Sequence, residues 1–262
     1  MASKLPTLFL AHGSPINAIR DNDFTRALRS LGQELPRPKA ILIVSAHWRT
    51  RTTRVLTVAE PKTIYDFSGF PKELSQISYP AKGAPQVALR VAALLTPFGV
   101  EDDESWGLDH GVWSVLRHMY PAADIPVVPL SINQRLPLDG HLAVAKALRP
   151  LREEGILIVG SGNITHNLGD IDWDESAEPQ KWARSFDDRM TKALIERDEG
   201  FLLKREIGEF ASLWTHALPT SEHYVPLLYA YGASDAADQV SFPFVGMQHG
   251  TLSMRSVQFG AK

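Results

Sequence analysis

A single α/β domain, with a mostly parallel central sheet and helices on both faces, is the fold class predicted by three observations. Short unbroken apolar runs recur along the chain, such as ILIV in ILIVSAHW at residues 41–48, as expected of strands buried on both faces. Helical periods lie between several of those runs, and strands alternating with helices argue for a mostly parallel sheet. The length of 262 residues fits one large domain of this kind, and no composition shift marks a boundary, so one domain spans 1–262.

The elements follow in order. TLFLAH at 7–12 reads as the first strand. Residues 23–32 carry Phe24, Ala27, Leu28 and Leu31 at helical spacing, with Asp23 as the expected cap and Gly32 as the expected stop. Strands are expected at 40–46 and 53–59. The stretch PKTIYDFSGFPKELSQISYPAKG, 61–83, has no clean period and is rich in Pro, Gly and aromatics. A long irregular loop in a compact domain is usually functional, and Tyr65, Phe67, Phe70 and Tyr79 would be costly to leave in water, so it reads as a lid or pocket wall. A helix over 86–98 is entered through Pro85. Helices over 112–119, 138–154 and 182–197 alternate with strands at 125–132 and 156–161. In SEHYVPLLYAYGA, Ser221 reads as a cap, with Val225, Leu228, Tyr229 and Gly232 following at helical spacing. Two last strands, 240–245 and 252–259, read as antiparallel at a sheet edge.

Composition narrows the function classes. Hydrophobic residues make up 44% and charged residues 22%, ordinary for a globular protein. A net charge of −3 forces no broad basic surface, so no nucleic-acid partner is expected. Cysteine is absent, which removes disulfides, thiolate zinc sites, iron–sulfur clusters and cysteine nucleophiles together. The opening MASKLPTLFLAHGSP reaches an apolar run too short for a signal peptide or a membrane span. A cytoplasmic protein without a membrane partner is the expectation.

The chemistry lies in the histidines. Three apolar runs each deliver one just past the carboxyl end: His12 after TLFLA, His47 after ILIVSA, and His166 after ILIVGSGNIT. In an open α/β sheet ligands bind beyond the carboxyl ends of the strands, so residues far apart in sequence converge there. His223, expected in the first turn of the helix after Ser221, could point back at the same crevice, and His110 in WGLDHGVW leads into another helix. Imidazole is the commonest ligand of borderline transition metals, and His12, His47, His166 and His223 as a set read as a metal site for Zn, Fe(II), Cu or Ni. His118, His141, His216 and His249 lack that context and read as ordinary structural histidines. GSGN at 160–163 could cradle an anion, but a short glycine loop arises often by chance and does not match a nucleophile elbow. Asp109 reads as a turn aspartate.

HGSP at 12–15, SAHW at 45–48, YDFSGFP, GLDHGVW, GSGNITHNL, EHYVPLLY and TLSMRSVQFG together resemble the class III, LigB-like extradiol ring-cleavage dioxygenases, most closely the 4,5-DOPA dioxygenase extradiol branch. The resemblance covers nearly the whole chain in order. It implies opening of a DOPA-like catechol by O2 at a mononuclear metal, Fe(II) for activity. On this sequence His12, His47 and His223 match the metal positions, while His166 and His110 match histidines beside the substrate. His166 is then the acid–base group, able also to coordinate the metal when substrate is absent. His110 would stabilise bound oxygen or a substrate oxyanion, and Trp48, Tyr65 and Phe67 would wall the ring.

Glu222 and His223 are adjacent, and neighbours on a helix point about 100° apart, so only one is expected to face the metal. The resemblance assigns that place to His223. Three neutral imidazoles also suit Zn(II), which can occupy the site in purified protein. Two other readings use the same residues: a zinc-dependent hydrolase with Glu222 as general base, and a catechol-binding protein without turnover. The oligomeric state stays open.

Overall fold

The computed structural model describes residues 4–204 and 209–261. In chain order the elements are β1 (Thr7–Ala11), α1 (Asp23–Glu34), β2 (Ala40–Thr50), β3 (Arg54–Leu56), α2 (Pro85–Leu95), β4 (Glu101–Asp103) and α3 (His110–Met119). Then come β5 (Val127–Asn133), α4 (Leu138–Ala147), β6 (Ile156–Gly162), α5 (Lys181–Glu196), α6 (Glu199–Leu202), α7 (Glu209–Ala217) and α8 (Val225–Ala233). The chain closes with β7 (Val240–Phe244), β8 (Met247–Gln248), β9 (Leu252–Ser253) and β10 (Ser256–Phe259).

Eight strands form one sheet in the order β4-β3-β5-β2-β6-β1-β10-β7. Its centre is parallel: β6 pairs in parallel with both β1 and β2, and β2 with β5. The late strands β10 and β7 add antiparallel at one edge, as their position after the last helix suggests.

The apolar runs are continuous because both faces of the central strands are covered. In β2, Ile41 and Ile43 join the core under α1 and α3, while Ala40, Leu42 and Val44 join the core under α2, α4 and α8. Leu157 and Val159 of β6 alternate with Ile156 and Ile158 in the same way. Each such Leu, Ile or Val contributes about 1.5–3 kcal/mol by leaving water, so slipping one strand by a residue would cost many times that.

Several boundaries differ from expectation, each for a local reason. Asn22, not Asp23, caps α1, through a reciprocal capping box with Thr25. Gly32 does not stop that helix, which continues to Glu34; a Cβ there would sit 2.2 Å from the Met119 carbonyl, so the glycine permits close packing of α1 on α3. The strand expected at 40–46 runs on to Thr50, with its ladder to β5 broken between Val44 and Arg49. His47 therefore projects from that irregular stretch rather than from beyond the strand. The edge strand β4 and the helices α6 and α7 had no clear sequence period.

Candidate metal centre

Five histidines gather at the carboxyl ends of β1, β2 and β6. The ligand-capable atoms of His12, His47 and His110 lie within 4.8 Å of one another, as do those of His166, Glu222 and His223. The two groups face each other, with the His12 and His47 rings 5.2 and 5.1 Å from the His223 ring, centre to centre.

Each ring is delivered by a specific backbone device. His12 follows β1, and its amide donates to the Gly162 carbonyl at 3.1 Å. Gly13 then turns at φ +58°, where a Cβ would lie 2.7 Å from Met254 Sδ. Asp109 caps α3 and accepts from Ser45 Oγ at 2.6 Å, which ties the end of β2 to the start of α3 and brings His47 beside His110. Burial, followed by the nearby Asp66 charge, raises the Asp109 carboxyl to about 6.

His223 is not on the first turn of α8 but in the turn before it, with the Tyr224 and Val225 amides donating to the Ser221 carbonyl. This removes the helix-geometry reason for separating Glu222 from His223. Both approach the centre. The glycines of GSGN explain how: Cβ atoms on Gly160 and Gly162 would lie 2.0 Å from the Pro226 carbonyl oxygen and 2.1 Å from that of His223. Gly160 and Gly162 lie within β6 rather than in a loop, and their missing side chains let this turn and the start of α8 rest directly on the strand.

Asn163, which the sequence did not single out, joins three parts of the site. Its amide donates to the His223 carbonyl, its Oδ1 accepts from the Gly13 amide at 3.2 Å, and its Nδ2 donates to the Ser253 carbonyl. An amide side chain directly after the two glycines that end a buried apolar run was the available signal.

The ring nitrogens are oriented by partners on the far side. Ser161 Oγ donates to the Gly111 carbonyl, so it accepts from His12 Nδ1 at 3.0 Å. His110 Nδ1 donates to Asp66 Oδ2 at 2.9 Å, and the same oxygen lies 3.3 Å from His47 Nδ1. His223 Nδ1 donates to Glu222 Oε1 at 3.2 Å, and Thr220 Oγ1 donates to that oxygen too. His12, His110 and His223 thus hydrogen-bond outward through Nδ1, and the Asp66 carboxylate stands near Nδ1 of His47, which favours Nε2 lone pairs turned inward. Asp66, on the long loop, is a second participant the sequence reading passed over; a carboxylate among the loop's aromatics was its only mark.

His12 and His47 bring Nε2 to Nε2 at 3.2 Å. Two lone pairs at that distance repel unless a cation lies between them. Metal–imidazole bonds of about 2.0–2.1 Å put two nitrogens of a tetrahedral set roughly 3.3 Å apart, so the donor set suits a metal ion. Burial and then the neighbouring imidazoles hold His12 well below the ordinary value for histidine; burial and then His166 do the same to His223. His47 falls to about 3 through burial and then His110, against the pull of Asp66. His166 falls to about 4 through burial, opposed by Glu222. All four are neutral near pH 7, the state in which imidazole ligates a metal or accepts a proton.

His166 is placed differently. Its ring stacks on His223 at 3.4 Å with 7° between planes, and its amide donates to the Ala217 carbonyl. Among the described residues, no other side chain hydrogen-bonds its ring.

The proposed ring walls divide. Phe67 meets His110 edge-on at 5.6 Å, next to the cluster. Tyr65 packs on Phe67 and donates to the Ile77 carbonyl, one layer back. Trp48 departs from expectation: it is 3% exposed and stacks parallel on Trp106, because alternation along β2 turns it away from His47. It offers almost no surface to a ligand. The other four histidines are engaged elsewhere: His118 with the Asn17 carbonyl, His141 with Tyr229, His216 with Asp170 and His249 with the Asp172 carbonyl.

Residues 5–259 match the family model described as the catalytic LigB subunit of aromatic ring-opening dioxygenase. A "4,5-DOPA dioxygenase extradiol" from Escherichia coli K12 is 45% identical over 99% of this chain and 96% of its own length. Another of that name from Beta vulgaris is 38% identical over 97% and 96%. The crystal structure of an uncharacterized Escherichia coli K12 protein superposes with a TM-score of 0.85 at 43% identity, covering 98% of this chain and 100% of that one.

Proposed function

The chain belongs to the LigB family of aromatic ring-opening dioxygenases, and from that premise we propose its substrate, its metal and the roles of its histidines. It is an extradiol dioxygenase, acting on a small aromatic molecule and O2. The substrate proposed is a DOPA-like catechol, after the names of the relatives. The metal proposed is Fe(II), held by His12, His47 and His223, with zinc able to take its place in purified protein. A metal here supplies a charge that acidifies the catechol hydroxyls and a path for electrons from the ring to O2.

The protein's own groups do the rest. Ser161 and Glu222 hold His12 and His223 by hydrogen bonds at Nδ1, and the Asp66 carboxylate lies beside Nδ1 of His47, an arrangement that favours an inward Nε2 on each ring. His166, neutral near pH 7 and held by stacking on His223 and a hydrogen bond to its own backbone, accepts the second catechol proton and returns it later in the reaction. In substrate-free protein the same ring is close enough to His223 and Glu222 to serve as a further ligand. His110 borders the bound oxygen or substrate oxyanion, and Phe67 covers the aromatic ring beside it. The hydrolase reading weakens, because Glu222 already accepts from His223 and Thr220. A cytoplasmic setting is proposed, with which a sequence without cysteine is compatible.

The observation that carries the metal assignment is the pair of Nε2 atoms at 3.2 Å, with Ser161 hydrogen-bonded at Nδ1 of His12 and the Asp66 carboxylate 3.3 Å from Nδ1 of His47. Anaerobic loading with Fe(II), followed by an absorbance and oxygen-uptake screen of catechols in air, tests the reading. A ring-opened chromophore with DOPA supports it. Tight catechol binding without product would make this a binding protein instead.

A further inference from the structure

We infer that Asp66 is a positioning residue shared by the two sides of the reaction: one carboxylate sets the ring orientation and proton location of both His47 and His110. The inference deepens the proposed function, since it rests on His47 as a metal ligand and His110 as a neighbour of the substrate.

The geometry is specific. Asp66 Oδ1 accepts from the His110 backbone amide at 2.9 Å, which fixes the carboxylate against the start of α3. Oδ2 accepts from His110 Nδ1 at 2.9 Å and lies 3.3 Å from His47 Nδ1. The two rings are 3.9 Å apart, so the oxygen that hydrogen-bonds His110 also lies within electrostatic reach of His47 Nδ1. A carboxylate oxygen beside an Nδ1 repels a lone pair there and stabilises a proton, which leaves Nε2 as the free nitrogen on each ring. Without that oxygen each neutral imidazole could carry its proton on Nε2, where His47 could not ligate a metal and His110 would present the opposite hydrogen-bonding character.

Asp66 also has support of its own. Its side chain is 16% exposed, and the next residue, Phe67, packs on His110 and Trp113. Loop residues outside the metal-bearing strands thus contribute a structural part of the site. Glu222 provides a contrast, since among the five histidines its hydrogen bond reaches His223 alone.

The test compares wild type with Asp66→Asn and Asp66→Glu. Asparagine keeps size but places an amide N–H donor against one of the rings; glutamate restores the carboxylate on a longer arm. The first readout is Zn(II) affinity by chelator competition, which needs no turnover. Asp66→Asn should bind zinc about 10–100-fold more weakly, the usual effect of removing such an outer partner, with partial recovery in Asp66→Glu. The second is ¹⁵N-histidine NMR of the zinc-loaded protein: both His47 and His110 should report Nδ1–H in wild type, and His110 should lose that signature in Asp66→Asn. The third is turnover at full iron occupancy, where kcat should fall more than KM rises. Unchanged zinc affinity, or an unchanged His110 tautomer with normal kcat in iron-loaded Asp66→Asn, would overturn the shared role. The zinc and NMR results stand whichever substrate is opened, so a failure of the catechol proposal would be seen separately as no product in wild type.

Discussion

The two halves of the histidine cluster are built differently. His12, His47 and His110 are anchored to two central strands and the first turn of α3, and each has an oxygen partner at Nδ1. His166 and His223 come from a loop and a turn beside the glycines of β6; His223 has Glu222, while His166 rests on the flat face of its neighbour and a hydrogen bond to its own backbone. A ligand must keep one orientation, whereas a proton carrier must be able to change its contacts. Rings set beside another residue's oxygen, His223 with Glu222 included, are suited to holding a metal, and His166, with no such side-chain partner among the described residues, to moving a proton.

The contrast can be broken from its stiffest part outward. His12→Ala and His47→Ala should each lose most of the bound metal while the fold survives, because the change removes a ligand but no hydrophobic core; His223→Ala should do the same. Metal analysis with circular dichroism on each variant checks this, and stoichiometric metal in any of them would remove that residue from the ligand set.

The next effect concerns the loose half. His166→Ala should retain iron and catechol but open the ring about 10²–10⁴-fold more slowly, the usual worth of a positioned general base. The deficit should shrink as pH rises and the catechol ionises unaided. Single-turnover rates across pH, with iron measured in every sample, decide between a base and an obligatory ligand: iron-loaded variant with normal rates excludes the former, and failure through missing iron indicates the latter.

Glu222→Gln should be milder. The amide can still accept from His223 Nδ1, so zinc affinity should fall by no more than about 10–100-fold and part of the activity should remain. If instead Glu222→Gln loses its metal while His223→Ala keeps it, Glu222 is the ligand.

The smallest effect lies outside the cluster. Burial lowers the pKa of His141, packed on Tyr229, to about 4, below its unfolded value near 6.5. The unfolded chain therefore binds this proton first, and stability is lost as pH falls from about 6.5 towards 4, with a slope of about 1.4 kcal/mol per pH unit at most. Urea titrations of metal-free protein over that window should show a shallower loss in His141→Phe than in wild type. An identical slope would mean the histidine is not buried neutral.

Much of this was legible in the chain because it follows local rules. Strands buried on both faces write themselves as ILIV runs, and the carboxyl ends of such strands gather whatever follows them, which is why His12, His47 and His166 stood out. What escaped depends on contacts between distant segments. Asp66 comes beside His47 and His110 only when the loop folds over α3; Trp48, expected to wall the ring, instead stacks on Trp106 because the strand pattern of β2 continues through it. His223 was assigned to a helix since nothing local says that Gly160 and Gly162 bring its turn onto a strand. The apolar pattern specified the scaffold, but the orientation of each ring depends on a polar partner far away in sequence.

The central claim is that this cluster, loaded with iron, inserts both atoms of dioxygen into an opened catechol ring. Mass spectrometry of the product formed from DOPA under ¹⁸O2 by the Fe(II)-loaded protein tests it most directly, with the new aldehyde reduced at once to prevent exchange with water. The account predicts two ¹⁸O atoms, one in the new carboxylate and one in the trapped alcohol. A ring-opened product carrying label only from H2¹⁸O in the reciprocal experiment would contradict it.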